Sequence, residues 1–360
     1  MQEWTQALQW IREAERISLF VHIFADGDAV GSAYGLAHLL RAMDKDVLLY
    51  AEEPIDEKLL FLADTKISCT IWEQNSADGP AAGPHTAAAD RKTDLSIAVD
   101  CSDEKRLGGR AALFFQSPRT LRIDHHAVGE AFAACNICNP DWAATAEGML
   151  ELAQCLGFFQ PEKAEGAVLI PCMTDRIAEQ AAAVCFYTGL VTDTGCFAYS
   201  NVTPDTHFAA ALLLKAAGQS LHWIGEAVFE SKKPQTLRLY AKAYGAITYY
   251  CGGKIAFLRI TEEDLEATET EASDTDGLSA TLRGIQGVHV GVLAKPGKVP
   301  GEIRFSLRSD EACNVSEIAA AFGGGGHAKA AGCVCLPETD YEEFKAKLIA
   351  EIAARLHDEI

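Results

Sequence analysis

Residues 17–40, ISLFVHIFADGDAVGSAYGLAHLL, restrict the possible folds of this chain more than any other stretch. The apolar, β-branched run from Ile17 to Ile23 reads as a buried strand. A short polar loop carrying His22, Asp26 and Asp28 follows, and the spacing then predicts a helix opening near Gly31 and Ser32. Strand, acidic loop and helix in that order belong to open α/β sheets, which keep their ligands beyond the carboxyl ends of the strands. Three side chains able to bind metal therefore stand where such a sheet holds its site.

The pattern returns downstream. DVLLYA (46–51) and KISCTIW (66–72) read as strands, DLSIAVDCSD as a strand ending in Asp100, and TLRIDHH as one ending in Asp124, His125 and His126. Residues 75–93, rich in Gly, Pro, Ala and Asp without periodicity, predict an exposed loop. Helical spacing covers 143–156 and 181–191, the latter running into TDTG with Asp193, and 204–218 is a further helix stopped by glycine. Strands alternating with helices predict an α/β domain over 1–218, its sheet largely parallel and flanked by helices on both faces.

Residues 219–238 read as a linker, and the pattern then changes. Two strands flank Gly252 and Gly253, a strong hairpin signal, and VHVGVLA and EIRFSLRS form a second antiparallel pair around PGKVPG. A capped helix (314–322) runs into glycines 323–326 and His327, and an amphipathic helix (341–356) closes the chain. Residues 239–360 thus predict a smaller mixed-sheet α+β domain, and a length of 360 residues suits two domains. No apolar run is long enough to cross a bilayer. The acidic, amphipathic N-terminus is unlike a signal peptide, so a cytoplasmic protein is expected. The twelve cysteines fit that compartment as free thiols. Cys135 and Cys138 form the one C-x-x-C, with no second pair at zinc spacing, and read as ordinary small buried residues. A net charge of −20 repels long polyanions, which argues against duplex nucleic acid but leaves room for a small phosphorylated ligand.

His22, Asp26, Asp28, Asp100, Asp124, His125, His126 and Asp193 make up the polar set at these termini. Gathering so many carboxylates is prohibitive unless cations neutralise them. Oxygen-rich ligation with imidazoles suits Mn²⁺ or Mg²⁺ better than structural zinc. Asp26 and Asp28, two apart in an extended loop, could address two ions about 3.5–4 Å apart, the spacing that activates water and clamps a phosphate under attack. Hydrolysis of a phosphoester or phosphoanhydride is the matching chemistry. Taken singly, each residue has a plainer reading: D-x-D as a helix cap, DHH and Asp100 as turn residues. Recurrence at three strand ends favours the joint reading.

HIFADGDAVGS, AVDCSD, RIDHH and TGLVTDTG, in this order, resemble the four motifs of the DHH phosphoesterases, and GGGGHAKAAG resembles the signature of their associated C-terminal domain. The TDTGCFAYSNVTP and RSDEACNVSEIAAAFGGGGH runs look like the nanoRNase/3′-phosphoadenosine-5′-phosphate phosphatase (NrnA-type) branch. The resemblance implies two Mn²⁺ ions, with Mg²⁺ or Co²⁺ as substitutes. His22, Asp26 and Asp100 would hold one ion. Asp28, Asp100, His125 and Asp193 would hold the other, with Asp100 bridging. Asp124 would support the histidines, and His126 would address the scissile phosphate or the leaving oxygen. In the second domain the resemblance implies phosphate contacts from Arg308, assisted by Ser309, and from Gly324, Gly325, Gly326 and His327. Arg304 and Lys329 are weaker candidates that also read as strand-face or solvated residues.

The expected activity is hydrolysis of short oligoribonucleotides to 5′-mononucleotides and of 3′-phosphoadenosine 5′-phosphate to AMP, in a cleft between the domains. Relatives often carry arginine at the position of Ala198, and residues 160–180 look longer than usual, so substrate preference stays open. A cyclic di-AMP or pApA phosphodiesterase is the rival enzyme, and a catalytically silent nucleotide sensor is the rival outside the enzymes. Inorganic pyrophosphatase shares the first four motifs but lacks the glycine-histidine signature. A homodimer is the family expectation.

Overall fold

The computed structural model describes residues 2–72, 92–160, 175–297 and 299–357. The predicted loop at 75–93 lies outside the described residues as far as residue 91, as do residues 161–174 of the long 160–180 stretch. Two compact units make up the chain, Met1–Ser231 and Lys232–Ile360.

In the first unit β1 (Arg16–Val21), β2 (Asp46–Ala51), β3 (Ser68–Ile71), β4 (Leu95–Val99), β5 (Thr120–Asp124) and β6 (Cys135–Cys138) form one sheet. Every neighbouring pair is parallel, and the order is 3-2-1-4-5-6. All residues of β4 and β5 are buried, as expected when both faces of a parallel sheet are covered. The cover is unequal. Ile17, Leu19 and Val21 face a thick layer built from α1 (Gln2–Glu13), α2 (Gly27–Ala42), a short α3 (Ala111–Phe114) being absent from it, α4 (Thr145–Leu156), α5 (Arg176–Asp193) and α6 (Pro204–Ala217). Phe20, Leu48, Tyr50 and Ala98 face the other way, under Leu107 of the 3-10 helix Glu104–Arg110 and Phe114 of α3. Cys135 is buried and Cys138 exposed, because residues three apart on β6 point to opposite faces. The described cysteines are free thiols.

Sequence spacing explains the tight seat of α2 against α5. Gly27, Gly31 and Gly35 recur every fourth residue and so lie on one stripe of α2. A Cβ at Gly27 would lie 2.3 Å from Thr192 Cγ2, at Gly31 2.4 Å from Cys185 O, and at Gly35 2.3 Å from the Phe186 ring. Only hydrogen fits there. The close approach brings the last turn of α5, which ends in Asp193, beside the first turn of α2, which holds Asp28.

The stretch 219–238 holds α7 (His222–Gly225), a π-helical stretch Glu226–Glu230 and the start of α8 (Pro234–Gly245). The second unit contains β7 (Thr248–Tyr250), β8 (Ile255–Arg259), β9 (Val290–Pro296), β10 (Ile303–Ser309), β11 (Gly325–His327) and β12 (Ala330–Cys335) in the order 11-12-10-9-8-7. Only the β8–β9 pair is parallel, so the sheet is mixed. Around it lie α9 (Glu262–Thr268), α10 (Asp276–Arg283), α11 (Val315–Ala321) and α12 (Tyr341–His357), and the unit has an apolar core on each face of the sheet. Among the described residues no helix is long and apolar enough to cross a membrane.

Candidate metal centre

The strand order reverses between β1 and β4, and an open α/β sheet leaves a crevice beyond the carboxyl ends of its strands at such a point. His22 follows β1 directly. Asp26 caps α2, its Oδ1 accepting from the Asp28 and Ala29 amides at 3.1 Å each. Because of that cap the helix opens at Gly27, four residues ahead of its predicted start. Asp28 therefore sits in the first helical turn and not in an extended loop. Asp100 follows β4 with φ +59, a left-handed turn that few L-residues adopt and that recurs at functional sites. Asp124 closes β5, His125 and His126 come next, and Asp193 ends α5.

These residues converge. His22 with Asp26 and Asp100, Asp28 with His125 and Asp193, and Asp100 with His125 and His126 each place their donor atoms within 4.8 Å of one another. His22 Nε2 lies 3.7 Å from Asp26 Oδ1 and 3.5 Å from Asp100 Oδ2. His125 Nε2 lies 3.7 Å from Asp100 Oδ1 and 3.5 Å from Asp193 Oδ2. Asp100 thus turns one oxygen toward each histidine. Asp26 and Asp28, expected to serve different ions, fall in different groups.

Electrostatics show what the cluster lacks. Burial first, then the charges of Asp100, Asp193 and Asp26, pushes the Asp28 carboxyl well above the usual carboxylate range. Burial and the charge of Asp100 push Asp193 up to about 6, against the pull of His125. Burial disfavours a charge on His22, yet the neighbouring carboxylates of Asp100 and Asp26 raise it to about 10. The extra protons fall on His22, Asp28 and Asp193, whereas Asp26, against its burial, is held down to about 2 by His22 and by the amides of Ala29 and Asp28. The donors are carboxylate oxygens and imidazole nitrogens with no thiolate among them. This donor set fits hard divalent cations, which would replace the protons.

Further residues hold the donors in place. His22 Nδ1 is 2.7 Å from Ile23 O and 3.0 Å from Arg106 Nη2; donation to the carbonyl leaves Nε2 its lone pair. The segment 142–146 makes four contacts to three of the candidate ligands. Trp142 O meets His125 Nδ1 at 3.3 Å, Thr145 N donates to Asp28 Oδ2 at 2.6 Å, Ala146 N to Asp28 Oδ1 at 3.0 Å, and Thr145 Oγ1 to Asp100 Oδ1 at 2.7 Å. Asn201 Nδ2 donates to Ala143 O at 2.8 Å and Asp193 O at 3.1 Å. Asp124 pairs with buried Arg122 and, through Oδ1, with His126 Nδ1 at 2.7 Å. Burial opposes both shifts, but the pair holds Asp124 below and His126 above its ordinary value. Sequence reasoning missed Arg122, Thr145 and Asn201: Arg122 and Asn201 stand inside the RIDHH and TDTGCFAYSNVTP runs but were overshadowed there by the acids and histidines, and Thr145 stands in no marked pattern.

In the second unit Arg308 on β10 and His327 on β11 both pair with Ala330 of β12. Directly paired residues point to one face, so the two side chains share a row. Ser309 is buried, its hydroxyl donating to Cys313 O at 2.7 Å. Gly324 and Gly326 allow backbone contact, since a Cβ would lie 2.0 Å from Gly332 O and 2.5 Å from Ala330 O respectively, while one at Gly325 would meet nothing within 4 Å. Lys329 is ion-paired with Glu311.

Comparison with known proteins agrees with this architecture. Residues 16–189 match the DHH family, N-terminal domain, and residues 252–354 match the DHHA1 domain. The bifunctional oligoribonuclease and PAP phosphatase NrnA of Thermus thermophilus is 28% identical, over 94% of this chain and 90% of its own length. The protein of the same name from Mycoplasma genitalium is 25% identical, over 97% of each chain. The crystal structure of an exopolyphosphatase-related protein from Bacteroides fragilis shares the fold, with a TM-score of 0.83 at 24% identity over 98% of this chain and 96% of that one.

Proposed function

This chain belongs to the DHH family, with a DHH domain followed by a DHHA1 domain, and we propose that it is a Mn²⁺-dependent hydrolase of short oligoribonucleotides and 3′-phosphoadenosine 5′-phosphate. The observation that carries this reading is the sharing of Asp100 between the His22–Asp26 group and the His125–His126 group, inside a chain related over most of its length to NrnA proteins. Divalent ions bound there supply charge neutralisation at a phosphate and lower the pKa of a water.

Release of 5′-mononucleotides from RNA and of AMP from 3′-phosphoadenosine 5′-phosphate breaks the same bond, between phosphorus and a nucleoside 3′-oxygen. The water oxygen bonds to phosphorus, the P–O3′ bond breaks, and the leaving oxygen needs a proton. His126 is the residue we assign to it. Its Nδ1 is bonded to Asp124, and Asp124 with Arg122 behind it fixes the ring beside the ligand cluster. Arg308 and His327, with the backbone at Gly324, Gly325 and Gly326, are the groups we assign to substrate phosphate, and Ser309 supports the turn beside Arg308.

The test is product formation by the full chain with Mn²⁺ on labelled dinucleotides, 3′-phosphoadenosine 5′-phosphate, pApA and cyclic di-AMP. Turnover of the first two, lost in Asp100→Ala, is expected. No turnover by the wild type, or full turnover by Asp100→Ala, overturns the proposal. Strong selectivity for the two adenine dinucleotides would replace the substrate assignment with theirs.

A further inference from the structure

We infer that Thr145 is a positioning residue that divides the Asp100 carboxylate between two metal positions, an inference that rests on the metal-dependent reading above. Asp100 is 2% exposed, and its two oxygens face different partners. Oδ2 faces His22 Nε2 at 3.5 Å, while Oδ1 faces His125 Nε2 and His126 Nδ1 at 3.7 Å each. The terminal torsion of an aspartate is broad, so nothing in the side chain itself fixes which way the carboxylate plane turns. The fixed point is the Thr145 hydroxyl, which donates its one proton to Oδ1 at 2.7 Å.

That hydroxyl is itself held rigidly. Thr145 is fully buried and opens α4, and its backbone N–H donates to Asp28 Oδ2 at 2.6 Å. β-Branching restricts its χ1. The cap position of this helix is held by Ala144, whose side chain has no acceptor to offer the first amides. Asp28 occupies the position instead, accepting from the Thr145 and Ala146 amides. One residue thereby ties together Asp28 and Asp100, which lie in different donor groups. Removing the hydroxyl alone leaves the Asp28 contact in place and frees Asp100 to turn.

The experiment titrates full-length protein with Mn²⁺ alone, read by calorimetry and electron paramagnetic resonance. Wild type is expected to take up two ions with a spin-coupled spectrum. Thr145→Val and Thr145→Ala, two hydroxyl-free variants of different volume, should bind the second ion about 10–100-fold more weakly and show the spectrum of isolated Mn²⁺. Thr145→Ser should restore the coupled spectrum. Should either hydroxyl-free variant fold and keep wild-type affinity and coupling, or should Thr145→Ser fail to restore them, the inference falls while the metal-dependent reading stands. Wild type binding no Mn²⁺ removes both.

Discussion

Gly189 stands where a methyl group would lie 2.6 Å from Asp28 Oδ1 and 2.8 Å from the Cβ of Ala146. The last turns of α5 are therefore seated directly on a candidate metal ligand. Gly189→Ala must push α5 off α2 or turn the Asp28 carboxylate away from its helix-end donors. Overpacking of this kind costs about 1–3 kcal/mol. Gly35→Ala clashes instead with the Phe186 ring, two turns farther along α2. Both variants should melt earlier without metal, and only Gly189→Ala should also bind Mn²⁺ more weakly. Thermal melts with and without Mn²⁺ decide it, and equal Mn²⁺ responses would refute the distinction.

The raised pKa values predict how metal binding follows pH. Asp193 is held at about 6 and Asp28 higher than a free carboxyl, and His22 at about 10. A carboxyl raised in the folded state contributes stability that is full at acid pH and lost as pH rises, for Asp193 through about 6. The raised His22 contributes stability that is full below its ordinary value and lost as pH rises through about 10. Both make the metal-free chain weaker as pH rises, and both sets of protons must leave for an ion to bind. The rise in Tm produced by Mn²⁺ should be larger at pH 8 than at pH 5.5. A rise that is constant or shrinks with pH would contradict the assignment.

Arg122 is 3% exposed, paired with Asp124 and donating through Nε to Cys101 O at 2.7 Å, so it links the end of β5 to the turn that carries Asp100. Removing one partner of a buried pair costs about 3–5 kcal/mol, because the other charge is left behind. Arg122→Met should lose that much in urea unfolding, and Arg122→Met with Asp124→Asn should recover part of it. An Arg122→Met chain within about 1 kcal/mol of wild type would show that the pair is not structural.

The residues legible in the sequence are those whose type and local pattern agree. Apolar runs ending in Asp100 and in Asp124, His125 and His126 marked strand ends, because buried parallel strands read as continuous apolar stretches. CNIC, with four residues and a polar Asn136, gave no such signal although it forms β6. α2 starts four residues earlier than the spacing predicts because Asp26 both caps the helix and lies within the ligand cluster, and the cap role sets the boundary. Thr145 lies 117 positions from Asp28, and nothing local in either stretch announces their bond. The residues that hold the ligands became visible only once the sheet and helices had brought them together.

Asn201 is the last of these, and its geometry makes a sharp test. Its Nδ2 donates to Ala143 O at 2.8 Å and to Asp193 O at 3.1 Å, joining the end of α5 to the segment that leads into α4. Both carbonyls lose their donor in Asn201→Leu, at about 1–3 kcal/mol for each one left buried and unpaired. Asn201→Asp goes further, since a carboxylate facing two carbonyls repels both. Asp193 would then shift relative to His125, and its support is lost, which commonly costs 10–100-fold in metal affinity or activity. We expect kcat/KM on whichever dinucleotide the wild type turns over to fall by about that factor in Asn201→Leu and by more in Asn201→Asp. The dissociation constant for Mn²⁺ should rise in the same order. Wild-type kinetics in Asn201→Asp would show that Asp193 is held by α5 alone.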